Sequence, residues 1–123
     1  MPGRVLIIDD EEATRQAISD YFQTHGYTVD SACEAEEAEA LLTHVRYDAI
    51  VSDLRLTRIH GAEGLEIVGF VKERCPWTRI ILLTAHATPE LEMEARRRGV
   101  DHILTKPQPL AHLVSVVAAT KDG

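Results

Sequence analysis

Three aliphatic runs along this chain each end on a residue able to do chemistry. Val5-Leu6-Ile7-Ile8 leads into Asp9-Asp10-Glu11, Ala49-Ile50-Val51-Ser52 into Asp53-Leu54, and Ile80-Ile81-Leu82-Leu83 into Thr84. A weaker run over residues 102–104 leads into Thr105-Lys106-Pro107. The runs are continuous rather than alternating, which predicts strands of a parallel sheet covered by helices on both faces. Residues 27–29 are short and alternating and predict an edge strand.

Between these runs the apolar period lengthens to that of a helix. Ala13, Ala17, Ile18, Tyr21 and Phe22 predict one buried helical face, closed by Gly26 as a left-handed cap. Residues 34–45 predict a second helix on Ala35, Ala38, Leu41, Leu42 and Val45. Its acids Glu34, Glu36, Glu37 and Glu39 crowd the end where the helix dipole favours negative charge, so they read as a solvated face and not as a metal site. Residues 55–61 are irregular. A third helix is expected over 64–74, with Leu65, Val68, Val71 and Lys72 as its stripe and Pro76 as its stop. Pro89 opens a fourth, which runs to Arg98 and is closed by Gly99. Its apolar face is thin (Leu91, Ala95), which makes it the expected most mobile helix, and Arg96-Arg97-Arg98 oppose the dipole in its last turn. A fifth, over 109–119, buries Leu110, Leu113, Val114 and Val117. Five strands alternating with five helices, without a repeat or linker, give a single doubly wound α/β domain over residues 1–123.

Composition narrows the function. A chain of 123 residues with 45% apolar residues is long enough for one packed core. A net charge of −7 argues against a duplex-binding surface, which needs clustered Lys and Arg. No apolar run approaches a membrane span and the start lacks a secretion signal. Cys33 and Cys75 have no metal or redox spacing and read as reduced thiols in the cytoplasm. His25, His44, His60, His102 and His112 lack ligand spacing, and Trp77 reads as a loop aromatic against the far end of the sheet.

In an open parallel sheet the strand ends share one edge, and ligands bind there where the strand order reverses. Asp9, Asp10 and Asp53 would meet at that edge. Two carboxylates about 4 Å apart repel by roughly 4 kcal/mol at an effective dielectric of 20, so three need protons or a hard cation. Magnesium fits oxygen ligands and also accepts phosphate oxygens. Lys106 adds a compact positive charge and Thr84 a hydroxyl donor, completing the parts that phosphoryl transfer to a carboxylate requires.

This ordered set (Asp9-Asp10-Glu11, Asp53-Leu54, Thr84-Ala85, Thr105-Lys106-Pro107) resembles the receiver domain of two-component response regulators over nearly the whole chain. The resemblance implies a flavodoxin-like fold of strand order 2-1-3-4-5. It implies Asp53 as acceptor of a phosphoryl group from a sensor histidine kinase or phosphotransfer protein. Mg2+ would be bound by Asp10, Asp9, Asp53 and the backbone carbonyl of Arg55. Thr84 and Lys106 would contact the phosphoryl oxygens, and the Lys106–Pro107 bond would be cis. Such a domain is a signalling switch and no enzyme beyond its own phosphorylation and dephosphorylation. It would pass its state to an output domain or downstream protein, with phosphorylation-dependent homodimerisation as one route. Arg55 and His86, each two residues past a site residue, are expected to tune phosphoryl lifetime.

Three departures bear on output rather than phosphorylation. Ile103 occupies the switch position where the family has Tyr or Phe. Thr57 replaces a usual proline in a loop about three residues longer than common over 58–63, and Gln108 replaces a frequent Phe. Two rival readings follow. A haloacid-dehalogenase-type phosphatase would need a second Asp two residues past its nucleophile, which Asp53-Leu54-Arg55 and Asp9-Asp10-Glu11 lack. A receiver-like scaffold that binds partners without phosphorylation is the alternative that Ile103 favours. The end of the chain soon after the fifth helix fits either a stand-alone receiver or a piece of a longer regulator.

Overall fold

The computed structural model describes residues 3–53 and 62–121, with side chains over 3–53 and 65–119. Five strands and five helices alternate: β1 (Arg4–Ile8), α1 (Glu12–Thr24), β2 (Thr28–Ala32), α2 (Ala35–His44), β3 (Ala49–Asp53), α3 (Ala62–Arg74), β4 (Arg79–Thr84), α4 (Pro89–Arg97), β5 (His102–Thr105) and α5 (Leu110–Lys121). The strands are parallel and ordered β2-β1-β3-β4-β5, the doubly wound arrangement expected. The irregular piece expected at 55–61, with Arg55, Thr57 and His60, lies outside the described residues.

The aliphatic runs are continuous because each central strand feeds two cores. Leu6, Ile8, Ile50, Ile80 and Leu82 pack with Ala38 and Leu42 of α2, Leu65, Val68 and Val71 of α3 and Ala95 of α4. Val5, Ile7, Ala49, Val51, Ile81 and Leu83 pack on the other face with Ile18 and Phe22 of α1 and Leu113 and Val117 of α5. The sheet is thereby fixed between helical layers, and its carboxyl edge becomes a rigid platform.

Differences from expectation have local causes. On α1 the buried residues are Ile18, Ser19 and Phe22, while Ala13 and Ala17 are exposed. Alanines carry too little apolar area to orient a helix; Ile18 and Phe22 set the stripe, and the same i, i+3, i+4, i+7 row begins at half-buried Arg15. α3 starts two residues earlier than expected, since Ala62 and Glu63 are helix formers that carry the helix back across Gly64. The edge strand β2 extends to Ala32, with Tyr27 buried before it, edge-on to Phe22. Gly26 and Gly99 hold the left-handed φ values of 90° and 101° that end α1 and α4. Arg97 and Arg98 pair with Glu94 as well as facing the dipole of α4.

The opposite edge of the sheet has its own ties. Tyr47, fully buried, donates to Asp30 at 2.6 Å, and burial followed by that bond pushes its phenol well above the ordinary range. Trp77 is 43% exposed beneath the Arg46 guanidinium, 4.4 Å from the ring centroid. Cys33 is exposed and Cys75 buried, both as free thiols.

Candidate functional site

The order β2-β1-β3-β4-β5 reverses direction between β1 and β3, and the crevice of such a sheet opens there, at the carboxyl ends of the strands. Pairing puts the ends level: Ile8 lies beside Ser52, Asp53 beside Leu83, and Thr84 beside Thr105. The residues just past those ends therefore converge. Oxygens of Asp9, Asp10 and Asp53, one from each, lie within 4.8 Å of one another.

Asp53 ends β3 with only 3% of its side chain exposed, and Lys106 Nζ stands 2.5 Å from its Oδ1. Lys106 is held at its own main chain, whose N–H donates to the Thr84 carbonyl at 2.7 Å, and the bond to Pro107 is cis. On the next turn Gln108 Nε2 donates to the Thr105 carbonyl at 2.7 Å. Thr84 is buried. Its Oγ1 accepts the His86 N–H at 3.1 Å, which leaves the hydroxyl proton for donation.

Asp9 is 2% exposed. Its Oδ1 accepts the Glu11 N–H at 2.8 Å, while Oδ2 is buried without a hydrogen-bond partner among the described residues. Burial pushes this carboxyl above its ordinary value, and the charges of Asp53 and Asp10 push the same way; the Glu11 N–H and Lys106 oppose them. A buried carboxylate oxygen without a donor, beside two further carboxylates, suits a divalent cation that takes oxygen ligands. The residues fit the ion that the acidic cluster implies.

Of the residues singled out from sequence, Asp9, Asp10, Asp53 and Lys106 are thus brought together, and Thr84 is tied to Lys106 through the main chain. Arg55 lies outside the described residues. His86 is exposed at the rim. Ile103 is half-buried in β5 beside Leu82 and packs against the core on the α2–α4 face. Arg15 was not legible as a neighbour of this site, yet its Nη1 donates to the Asp9 carbonyl at 2.8 Å. The signal was the inward row of α1 that it shares with Ile18, Ser19 and Phe22.

A family model described as the response regulator receiver domain matches residues 5–118. The chain is 33% identical over 105 residues to the alginate biosynthesis transcriptional regulatory protein AlgB of Pseudomonas aeruginosa, covering 85% of this chain and 23% of that protein. It is 30% identical to the response regulator MprA of a Mycobacterium species, covering 97% of this chain and 50% of that one. The chain therefore spans half or less of the length of these curated relatives. Among solved structures it is similar to the Vibrio cholerae chemotaxis protein CheY4 (30% identity, TM-score 0.84, 97% and 98% of the two chains). It is also similar to a Burkholderia pseudomallei response regulator solved with a phosphorylated aspartic acid, calcium ion and citrate (25% identity, TM-score 0.85, 98% and 69%).

Proposed function

From the premise that this chain belongs to the response regulator receiver domain family, we propose that it is a phosphorylatable switch with Asp53 as the acceptor. Receiver domains are signalling domains rather than enzymes of metabolism. The observation that carries the proposal is the ammonium of Lys106 on Asp53 Oδ1 beside the three-carboxylate cluster.

The step is an in-line displacement. A carboxylate oxygen of Asp53 forms a bond to phosphorus as the bond from phosphorus to an imidazole nitrogen of the donor histidine breaks. That electron pair stays on the nitrogen, which takes up a proton. Lys106 and the Thr84 hydroxyl stabilise the charge spread over the phosphoryl oxygens, and preorganised donors of this kind carry most of such catalysis. Asp9, Asp10 and Asp53, with the Arg55 carbonyl, would hold Mg2+, which when bound neutralises the cluster and the incoming oxygens. Phosphorylation recruits Thr84 and Lys106 to the new group. The surface of α4, β5 and α5 then changes its affinity for an output domain, a downstream protein or a second copy, a shift that needs a few kcal/mol of differential contact. With Ile103 in place of an aromatic, that coupling runs through repacking of an aliphatic side chain. A sensor histidine kinase or phosphotransfer protein in the cytoplasm is the donor. Direct contact with nucleic acid is not expected of this domain, given its net charge of −7. Among the described residues no helix is long and apolar enough to cross a membrane.

Intact-mass measurement after treatment with acetyl phosphate tests this. One phosphoryl group is expected in the presence of Mg2+ and none with a chelator. Absence of the added mass under both conditions would leave the phosphorylation-independent scaffold as the better reading. A second expectation concerns lifetime. Arg55 stands two residues past Asp53 in sequence and His86 two past Thr84, so replacing both by Ala should change the half-life of the phosphorylated form. An unchanged half-life removes them from the site's chemistry.

A further inference from the structure

The helix that follows the aspartate pair carries an arginine that the proposed chemistry does not use. Arg15 begins the inward row of α1 and is half-buried, and its guanidinium reaches back to the end of β1. There Nη1 donates to the main-chain carbonyl of Asp9 at 2.8 Å. The Asp9 N–H donates to the Ala32 carbonyl at 3.0 Å, and Oδ1 accepts from Glu11 at 2.8 Å. Asp9 is thus fixed at three atoms, and Oδ2 is the one oxygen left without a donor among the described residues. The neighbouring turn feels the same arginine. Hydrogen bonds from Cys33, and after them the charge of Arg15, hold the Glu37 carboxyl below its ordinary range.

We propose that Arg15 is a positioning residue for the cation site: it fixes the main chain at Asp9 so that the carboxylates of Asp9 and Asp10 reach the ion together with Asp53. The inference rests on the reading of those three residues as the Mg2+ site. Groups that orient ligands without touching the metal are worth roughly 10–100-fold in metal affinity. Two effects of Arg15 have opposite signs and can be told apart. As a nearby positive charge it repels a cation, so its removal would tighten binding. As the clamp on the Asp9 carbonyl it preorganises the ligands, so its removal weakens binding.

Calorimetric titration of the whole chain with Mg2+, without any phosphoryl donor, decides between them. Arg15→Ala should raise the half-saturating Mg2+ concentration about tenfold. Arg15→Lys, which can still donate to the carbonyl, should recover most of the loss. If Arg15→Ala does not fold, Arg15→Met keeps the apolar stem without the donor and carries the same expectation. An arginine with only a structural role would lower the melting temperature equally with and without Mg2+ and leave half-saturation unmoved. That result, or tighter binding in the variant, overturns the positioning role while leaving the site reading intact. Failure of the parent chain to bind Mg2+, or an Asp10→Asn variant that binds as well as the parent, overturns the site reading and the inference with it.

Discussion

Lys106→Met is expected to slow phosphoryl incorporation from acetyl phosphate by about 100-fold or more, the cost of removing one preorganised donor from developing negative charge. The same change should lower the Mg2+ concentration needed for half-saturation. The two effects diverge because the ammonium has two roles. In the resting site it stands 2.5 Å from Asp53 Oδ1, a positive charge that would oppose a cation on the same carboxylate. During transfer it stabilises the phosphoryl oxygens, and methionine offers them nothing. Methionine keeps most of the apolar stem, so lost packing is a minor contribution. Without Mg2+ the variant should melt at a lower temperature, since Asp53 then faces Asp9 and Asp10 without its cation. With 31% of the lysine side chain exposed, that loss is smaller than for a fully buried pair. Direct Mg2+ titration and time-resolved intact mass check both halves. A transfer rate within a few-fold of the parent would remove Lys106 from the chemistry.

How far the sequence carried this reading depends on what each residue contributes energetically. The strands were legible because Val5 to Ile8, Ala49 to Val51 and Ile80 to Leu83 feed two cores at once, and only parallel strands between helical layers require that continuity. The ends of those strands were legible because carboxylates do not follow aliphatic runs by packing preference. On α1 the period correctly marks Ile18 and Phe22 as buried and Tyr21 as half-buried, but it also admits Ala13 and Ala17, which lack the area to enforce burial and are exposed. Counting those alanines on the inward face conceals Arg15. A charged residue on an apolar row reads as an exception until the carbonyl it reaches is seen. Tyr47 escaped notice for a related reason. It lies between Arg46 and Asp48 in a polar stretch, and its burial depends on Asp30, seventeen residues back, accepting its hydroxyl proton. Long-range polar pairs leave no periodic trace in sequence.

Asp9→Asn is expected to stabilise the protein in the absence of metal and to abolish most of its Mg2+ affinity. The two carboxylate oxygens of Asp9 are treated unequally: one accepts the Glu11 N–H, the other is buried without a donor among the described residues. Asparagine can keep the first bond. It replaces the second oxygen with an amide N–H2 directed into a cluster of carboxylates less than 5 Å across, so a repulsion becomes a hydrogen bond. Leaving a buried acceptor unpaired costs about 1–3 kcal/mol, so a gain on the order of 1 kcal/mol, a few degrees in Tm, is expected in chelator. The pH dependence has a definite sign. Burial, with the charges of Asp53 and Asp10, raises the Asp9 carboxyl above the 3.8 of an unperturbed group. The folded state therefore binds this proton more tightly than the unfolded chain. The parent's stability from this group is fully present below that unperturbed value, is lost as pH rises through the raised folded value, and falls no further above it. The advantage of Asp9→Asn in chelator should grow over that window and then level off. In saturating Mg2+ the order reverses, because the ion binds the parent and rewards the folded state while the variant has lost a ligand. Thermal melts of both proteins from about pH 4 to 8, with chelator and with Mg2+, read all three effects. A variant that melts below its parent in chelator at neutral pH would mean that Asp9 is held by donors rather than waiting for a cation, and the cluster would then be structural.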